Sequence, residues 1–500
     1  MRPSDHRKWF FPYRSLVLFA AWLLVVAGCT TVGPDYETPD LSGQHHADWI
    51  AHPQHAETTS LTPSTPANRW WTQFEDVALE RLVGRLFASN IDLAEARQCI
   101  VEARARRGIV NADRLPQVDV EAAMRTAGTG EEALNFQGPS PGEEIDVYSV
   151  GALAGWELDL WGRVARLAEA ADRDIEAQYG DYGHARVSLA AELALGYVDA
   201  RALEARLCLL DRQLGLLEKS LQLSRLCRQV GSGTELALMQ VQQRLDQIRS
   251  KRPELVRARG VAMHRIAVLI GTPPTKELIP PGTLPKPPHM IGIGLPADLI
   301  TRRADVRRAE MQYAAAVARV GAAVADRYPR LSLSGSLYFQ TDSADGIFDM
   351  DALIYSLGPG LRFPLFDSGQ IKQTIRVRES QAEQARLHLQ GTLLKAVGEV
   401  EDAAVGVVQN QQRVAHLRQT DKDARRQVEL AEQRYDAGLE SLIQVIDAQC
   451  DRVTVEDALI IARQHQLGGI IRLYRALGGG WETTAPGRAA FAAIQGGDRR

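Results

Sequence analysis

A proline-free helical pattern runs from residue 163 to 230, and a second of equal length runs from 370 to 437. At 1.5 Å per residue each is about 100 Å of helix, several times the usual length in a globular protein. The two stretches are also related. Ser149 and Ser356, Gly151 and Gly358, Gly162 and Gly369, Gly231 and Gly438, and Gln242 and Gln449 are all separated by 207 positions. One constant offset over that distance marks an internal duplication, so the chain builds the same long-helix unit twice.

Shorter helices flank each long one. About 24 residues precede Pro116 and about 39 lie between Gly231 and Gly271; their counterparts are residues 302–327 and 439–477. Stacked end to end, each short pair spans about 100 Å, the length of the long helix beside it. Leu193, Ala200, Leu203, Leu207, Leu210, Leu214, Leu217 and Leu221 recur at spacings of three, four or seven, as do Leu393, Val397, Val400, Ala404, Val407 and Val414. This is a coiled-coil seam.

A cytosolic coiled-coil rod would explain the helices but not the four segments between them, which alternate with period 2. They are placed at about 116–127, 146–160, 329–341 and 351–366. Val118, Val120, Ala122 and Met124 oppose Gln117, Asp119, Glu121 and Arg125, and Leu331, Leu333, Leu337 and Phe339 oppose Ser332, Ser334, Ser336 and Gln340. Tyr148, Val150, Ala152, Ala154, Trp156 and Leu158 line the second segment, and Leu353, Tyr355, Leu357, Leu361 and Phe363 the fourth. One apolar and one polar or small face suits membrane barrel strands around a wet lumen, with loops 128–145 and 342–350 outward. Four strands cannot close around a lumen, and an open edge in lipid is forbidden. Closure must come from oligomerisation, and three copies give twelve strands.

The start of the chain reads as an export and anchoring signal. Arg2, Arg7, Lys8 and Arg14 precede an apolar stretch from Leu16 to Ala27, too short for an ordinary transmembrane helix, and small residues precede Cys29. That junction resembles a bacterial lipobox, with residues 1–28 as signal peptide and Cys29 the acylated first residue of the mature chain. Thr30 is not the aspartate that retains many lipoproteins at the inner membrane, which favours the outer membrane. Three acyl chains exceed the two signals stable anchoring needs. Residues 29–69 then form a lipidated linker, extended over 37–68, followed by a first repeat over 70–270, a proline-rich connection over 271–299, a second repeat over 300–480 and a flexible tail over 481–500.

The net charge of -4 gives no footprint for nucleic acid. Cys99, Cys208, Cys227 and Cys450 have no CxxC neighbour and read as isolated, mostly buried thiols. His45, His46, His52 and His55 lack cysteine or carboxylate partners and fixed spacing, so no metal site is assigned. A phosphate loop and an HExxH motif are absent from the sequence. The chain is read as a non-enzyme with no cofactor beyond the covalent lipid on Cys29.

Ordered motifs across residues 29–481 resemble one family. They are Cys29 with Gly33-Pro-Asp-Tyr36 and Pro39, Trp70-Trp71 with Phe74, Asp76, Leu79 and Leu82, and Asn90 with Asp92, Leu93, Ala96 and Arg97. Further on come Glu157-Leu-Asp-Leu-Trp-Gly-Arg163, Arg302-Arg-Ala-Asp-Val-Arg307, Phe363-Pro-Leu-Phe-Asp367 with Gly369, and Tyr435-Asp-Ala-Gly438 with Asp447-Ala-Gln449. Together they resemble the TolC-like outer-membrane factors, in the lipoprotein, NodT-type branch of multidrug efflux channels. Ala304 departs from the family's usual proline after two arginines, with a local effect at a helix start.

The resemblance implies a mixed α/β membrane protein. Each protomer contributes four strands to a trimeric twelve-stranded outer-membrane β-barrel, above a long coiled α-helical periplasmic barrel. An equatorial belt comes from residues 70–90, residues 271–299 and the chain end. It implies the exit duct of a tripartite efflux pump, a homotrimer working with a periplasmic adaptor and an inner-membrane RND-type transporter that supplies the energy. A duct for type I protein secretion and a non-conducting envelope spacer are the alternatives; the lipobox and Gly33-Pro-Asp-Tyr36 favour small-molecule efflux.

By the same resemblance the gate lies at the hairpin tips, Gly231 to Gly233 and Gly438, whose glycines supply positive φ. Asp447 matches a lumen-facing family aspartate, and three copies form a cation-attracting constriction. Gln444 replaces a second family aspartate and Ala237 stands at the first-hairpin counterpart, thinning the acidic gate. Tyr435 matches a tyrosine that bonds between neighbouring helices in the closed state. Thr234, Glu235, Leu236, Ser441, Leu442 and Ile443 are the adaptor-docking candidates.

Overall fold

The computed structural model describes residues 31–40, 49, 59–62, 64–132, 142–275 and 278–481. Cys29, the leader and the four linker histidines lie outside these residues. The regular elements are Ser60–Thr62 (β1), Val77–Ser89 (α1), Ile91–Ala112 (α2), Gln117–Gly128 (β2), Glu144–Leu158 (β3), Arg163–Gln229 (α3), Glu235–Leu269 (α4), Met290–Gly292 (β4), Ala304–Ala325 (α5), Arg330–Thr341 (β5), Leu353–Arg362 (β6), Gln370–Asp436 (α6) and Leu442–Ala476 (α7). The duplication is visible as equal lengths: α3 and α6 have 67 residues, α4 and α7 have 35, and α2 and α5 have 22. The shorter helices fall a few residues below the expected spans because caps and turns occupy their ends.

The chain divides into two compact units. The first, over the described residues 31–39, 100–132, 142–177 and 310–388, holds a four-stranded sheet in the order β2-β3-β5-β6, antiparallel throughout. Three strands lie within two residues of the expected limits. The fourth stops at Arg362 rather than near 366, because its partner β5 begins at Arg330, opposite Arg362. The strand faces expected to be apolar are open to solvent, with Val120 81% and Leu357 77% exposed.

Below the sheet the family-like motifs have physical roles. Arg163 donates two hydrogen bonds to Glu157, at 3.0 and 2.9 Å, and Asp159 accepts from the Ala165 amide at 2.7 Å, starting α3. Asp367 does the same for α6, accepting from the amides of Gly369 and Ile371; these bonds hold its carboxyl below the usual range. The segment 31–36 lies against these starts. The Val32 amide donates to the Trp161 carbonyl at 3.2 Å, and the buried Arg166 donates to Asp35 at 2.6 Å and to the Val32 carbonyl at 3.3 Å. Tyr36 donates to Glu310 and meets Tyr313 edge to face. Gly33 has φ +93°, and a Cβ there would lie 2.4 Å from the Gly321 Cα.

Among the described residues the second unit holds 40, 49, 59–62, 64–99, 178–275, 278–309 and 389–481. Its core includes much of the coiled-coil seam: Leu193, Ala200, Leu210, Leu217 and Leu221 on α3, and Leu393, Val400, Ala404, Val407 and Val414 on α6, are buried. Trp70, fully buried, stacks on Tyr474, whose hydroxyl donates to Gln73. Part of the expected linker is described, and it packs on the second unit. β1 pairs in parallel with β4, and Trp49 is buried with its indole N–H donating to the Gly294 carbonyl at 2.9 Å. The expectation of mostly buried thiols is also corrected. Cys99 and Cys208 are exposed and Cys227 and Cys450 half-buried, Cys450 packing against the cluster that holds Leu217 and Leu221.

Arg303 explains the double-arginine motif. Its buried guanidinium makes two bonds to Asp305, at 2.9 and 2.7 Å, one to the Ala476 carbonyl at 2.9 Å, and an ion pair with Glu399 at 2.8 Å. Burial alone pushes the Asp305 carboxyl up, but the hydrogen bonds and charge of Arg303 outweigh it and hold the group below its ordinary value. Ala304 opens α5 without the proline.

Candidate gate and docking site at the hairpin tips

Both long helices end in the same backbone motif. Gly231 donates to the Arg228 carbonyl and Ser232 to that of Cys227; Gly438 donates to Tyr435 and Leu439 to Arg434. This is the Schellman arrangement, which needs a left-handed residue at its corner. Gly231 and Gly438 supply it, with φ +77° and +72°, and an added Cβ at either would meet nothing within 4 Å. Conformation, not space, calls for glycine there. Gly233 departs from the expectation that it also supplies positive φ. It is absent from the left-handed residues, and its smallness answers a close approach, since a Cβ would lie 2.9 Å from the Arg228 nitrogen.

The helices leaving the tips start differently. The Thr234 side chain accepts from the Ala237 amide at 3.2 Å, and Glu235 beside the positive helix start faces Arg228 at 3.4 Å. Ser441 caps only through its carbonyl, which accepts from the Gln444 amide, and Glu440 pairs with Arg434 at 3.2 Å. The docking candidates separate by exposure. Leu442 and Ile443 pack half-buried on a cluster of Leu217, Leu221, Val241, Leu245 and Ile446, whereas Leu236 is exposed. Val230 and Leu439, also exposed and next to the corner glycines, were missed by sequence reasoning; adjacency to those glycines was the signal available.

Above the tips, Asp447 is paired. Arg244 on α4 places Nη2 2.9 Å from its Oδ1. Sequence reasoning missed this arginine. It lies 13 residues past Gly231 and Asp447 lies nine past Gly438, so counting charges outward from the two corners brings them within about one turn. Gln444 is exposed on the same helix, and Tyr435 is half-buried with its hydroxyl unpartnered among the described residues.

A groove of about 650 Å³ follows between α3, α4 and α7, lined in part by Arg206, Arg244, Lys251, Cys450 and Asp457. Arg206 and Asp457 neutralise each other through two bonds at 2.7 and 3.0 Å. Burial pushes the Cys450 thiol up, which keeps it in the unreactive protonated form at neutral pH. The site can present charge and apolar contact at a hinge-like turn; it brings together no nucleophile and base.

A family model described as outer membrane efflux protein matches residues 82–272 and 295–479. Outer membrane protein OprJ of Pseudomonas aeruginosa is 30% identical over 469 residues, which cover 93% of this chain and 95% of that protein. Solvent efflux pump outer membrane protein SrpC of Pseudomonas putida is 28% identical over 479 residues, covering 94% and 99%. Among solved structures, the outer-membrane channel OprN aligns with a TM-score of 0.80 at 32% identity, covering 90% of this chain and 99% of that one. The Campylobacter jejuni CmeC outer membrane channel aligns at 0.82 with 21% identity, over 92% and 98%, a likeness of fold.

Proposed function

The chain belongs to the outer membrane efflux protein family, a family of ducts rather than enzymes, and on that premise we propose that three copies form the passive exit channel of a tripartite pump. The observation that carries the trimer is the four-stranded sheet. Its exposed apolar side chains suit lipid, but its outer strands β2 and β6 each have an unpaired edge, which lipid forbids, so the sheet needs further copies to close it. The lipid anchor on Cys29 fits the same picture, because residues 31–36 are held at the junction of β3 and α3 and deliver the acylated end to the base of the sheet.

The gate is the pair of glycine-cornered tips, with Asp447, Tyr435 and Gln444 just inside them. Three copies of Asp447 partly neutralised by Arg244 give a weakly cation-selective constriction. The tip residues Thr234, Glu235, Leu236, Ser441, Leu442 and Ile443, with Gly231, Gly233 and Gly438, receive a periplasmic adaptor. The exposed Leu236 makes the first apolar contact. An RND-type transporter in the inner membrane supplies the energy, and the cargo is small molecules.

The native mass of the full-length protein purified in detergent tests this reading. Three times the 55.0 kDa chain, less the leader and plus lipid, supports it; a monomer that inserts into bilayers on its own overturns it.

A further inference from the structure

We propose that β6 of one protomer pairs with β2 of the next in a defined register that sets Gly360 against Ala123 of the partner subunit. The proposal deepens the trimeric reading and rests on it.

The register follows from the duplication. Gln117↔Gly155, Glu121↔Gly151 and Met124↔Tyr148 in the β2/β3 hairpin recur as Arg330↔Arg362, Ser334↔Gly358 and Leu337↔Tyr355 in the β5/β6 hairpin. Throughout, the first strand shifts by 213 positions and the second by 207. The two hairpins are therefore copies in pairing as well as in sequence. Within the protomer they join edge to edge through β3 and β5, with Ser149↔Gln340, Leu153↔Ser336, Ala154↔Gly335 and Gly155↔Ser334. The two edges left over are the same two edges, since β6 is the copy of β3 and β2 the copy of β5. Carrying the β3/β5 pairs across by the same shifts sets Ser356 against Ala127 of the partner subunit, Gly360 against Ala123 of the partner subunit, Leu361 against Ala122 of the partner subunit and Arg362 against Glu121 of the partner subunit.

Chemistry that played no part in that transfer agrees with it. Leu361, Phe363 and Leu365 meet Ala122, Val120 and Val118 of the partner subunit, apolar against apolar, and Leu361, Val120 and Val118 are all exposed in the single protomer. Arg362, which makes no ion pair among the described residues, faces Glu121 of the partner subunit. Within its own protomer Glu121 accepts a long bond from Tyr338, which leaves its second oxygen available. A slip of one residue would bring Leu361 onto the polar face and is excluded by the pleat.

The same transfer accounts for the early end of β6. β3 runs on to Leu158, opposite Leu331, and the copy of Leu158 is Leu365, which is 89% exposed with no strand beside it. Its partner is Val118 of the partner subunit. Pro359 has no N–H, so one of the two ladders flanking β6 is a donor short. Followed around one protomer, paired residues run Gln117, Gly155, Ser334, Gly358 and reach Arg125 of the partner subunit. The ladder climbs about eight residues per copy, the kind of stagger a tilted closed barrel requires.

Cysteine cross-linking of the full-length protein tests the register, with the exposed Cys99 and Cys208 replaced by serine. S356C/A127C is the first pair, nearly isosteric at 356 and one atom larger at 127, and G360C/A123C the second. Each double variant is expected to give a covalent trimer on a non-reducing gel after mild oxidation, while single variants give none. S356C/R125C and G360C/E121C report the slip of two residues one way, and G360C/R125C the slip the other way. Linking by a slip pair in place of its in-register pair overturns the register. Native mass separates the two levels: a trimer in which neither in-register pair links overturns the register alone, whereas a monomer overturns the trimeric reading beneath it.

Discussion

Arg244 and Asp447 stand 2.9 Å apart, Nη2 to Oδ1, with both side chains about half exposed, at 49% and 43%. At that exposure an ion pair contributes about 0–1 kcal/mol, so its role is in charge rather than stability. Arg244→Ala bares the carboxylate and is expected to raise cation selectivity and sensitivity to trivalent cations. Asp447→Ala leaves an arginine there and lowers both. Reversal potentials in salt gradients read the change of sign, and thermal melts of both variants stay near wild type.

Gly438→Ala keeps every contact and changes only conformational cost, because the left-handed corner disfavours a Cβ by about 1–2 kcal/mol. The second tip is expected to fray before the rest of the chain, seen as protease cleavage near residue 438 at unchanged global melting temperature. Gly231→Ala does the same at the first tip.

Arg303→Ala leaves the largely buried Asp305 without its cation, a loss of about 3–5 kcal/mol, while the half-exposed Glu399 adds little. The pH dependence has a fixed sign. Asp305 is held below its ordinary value of 3.8 in the folded chain, so its stabilisation is present above that pH and is lost as pH falls through the folded value. Acid titration of melting temperature is expected to show a shallower fall below pH 3.8 in the variant than in the wild type.

Much of this was legible in the sequence, for a specific reason. Period and length survive any packing, so 67-residue helices and alternating strands could be placed from Pro116, Gly162, Gly231 and their copies. What escaped depends on neighbours distant in sequence. Arg244 and Asp447 are 203 residues apart, and the buried Trp49 donates to the carbonyl of Gly294, 245 residues away. Gly233 escaped differently: its spacing resembled that of the corner glycines, but its demand is for space rather than positive φ. β6 was drawn too long because the apolar alternation continues through Phe363 and Leu365, while its partner β5 begins at Arg330, opposite Arg362.

Gly33→Ala combines a left-handed φ with a Cβ 2.4 Å from the Gly321 Cα, and is expected to lift residues 31–36 off the unit. Arg166→Ala removes the bonds to Asp35 and Val32 and gives a weaker form of the same result. Protease accessibility of residues 31–36 rises in both, more in Gly33→Ala, while the sheet keeps its circular-dichroism signal.

The central claim is a gated conduit closed at the tips, and single-channel recording in planar bilayers tests it most directly. The purified acylated protein is expected to give small, cation-selective currents. They should enlarge stepwise in a Gly231→Ala/Gly438→Ala double variant, whose corners no longer hold. Absence of current from both proteins, in bilayers where their insertion is verified, would contradict a conducting channel; full-size, unselective currents from the wild type would contradict a gate at the tips.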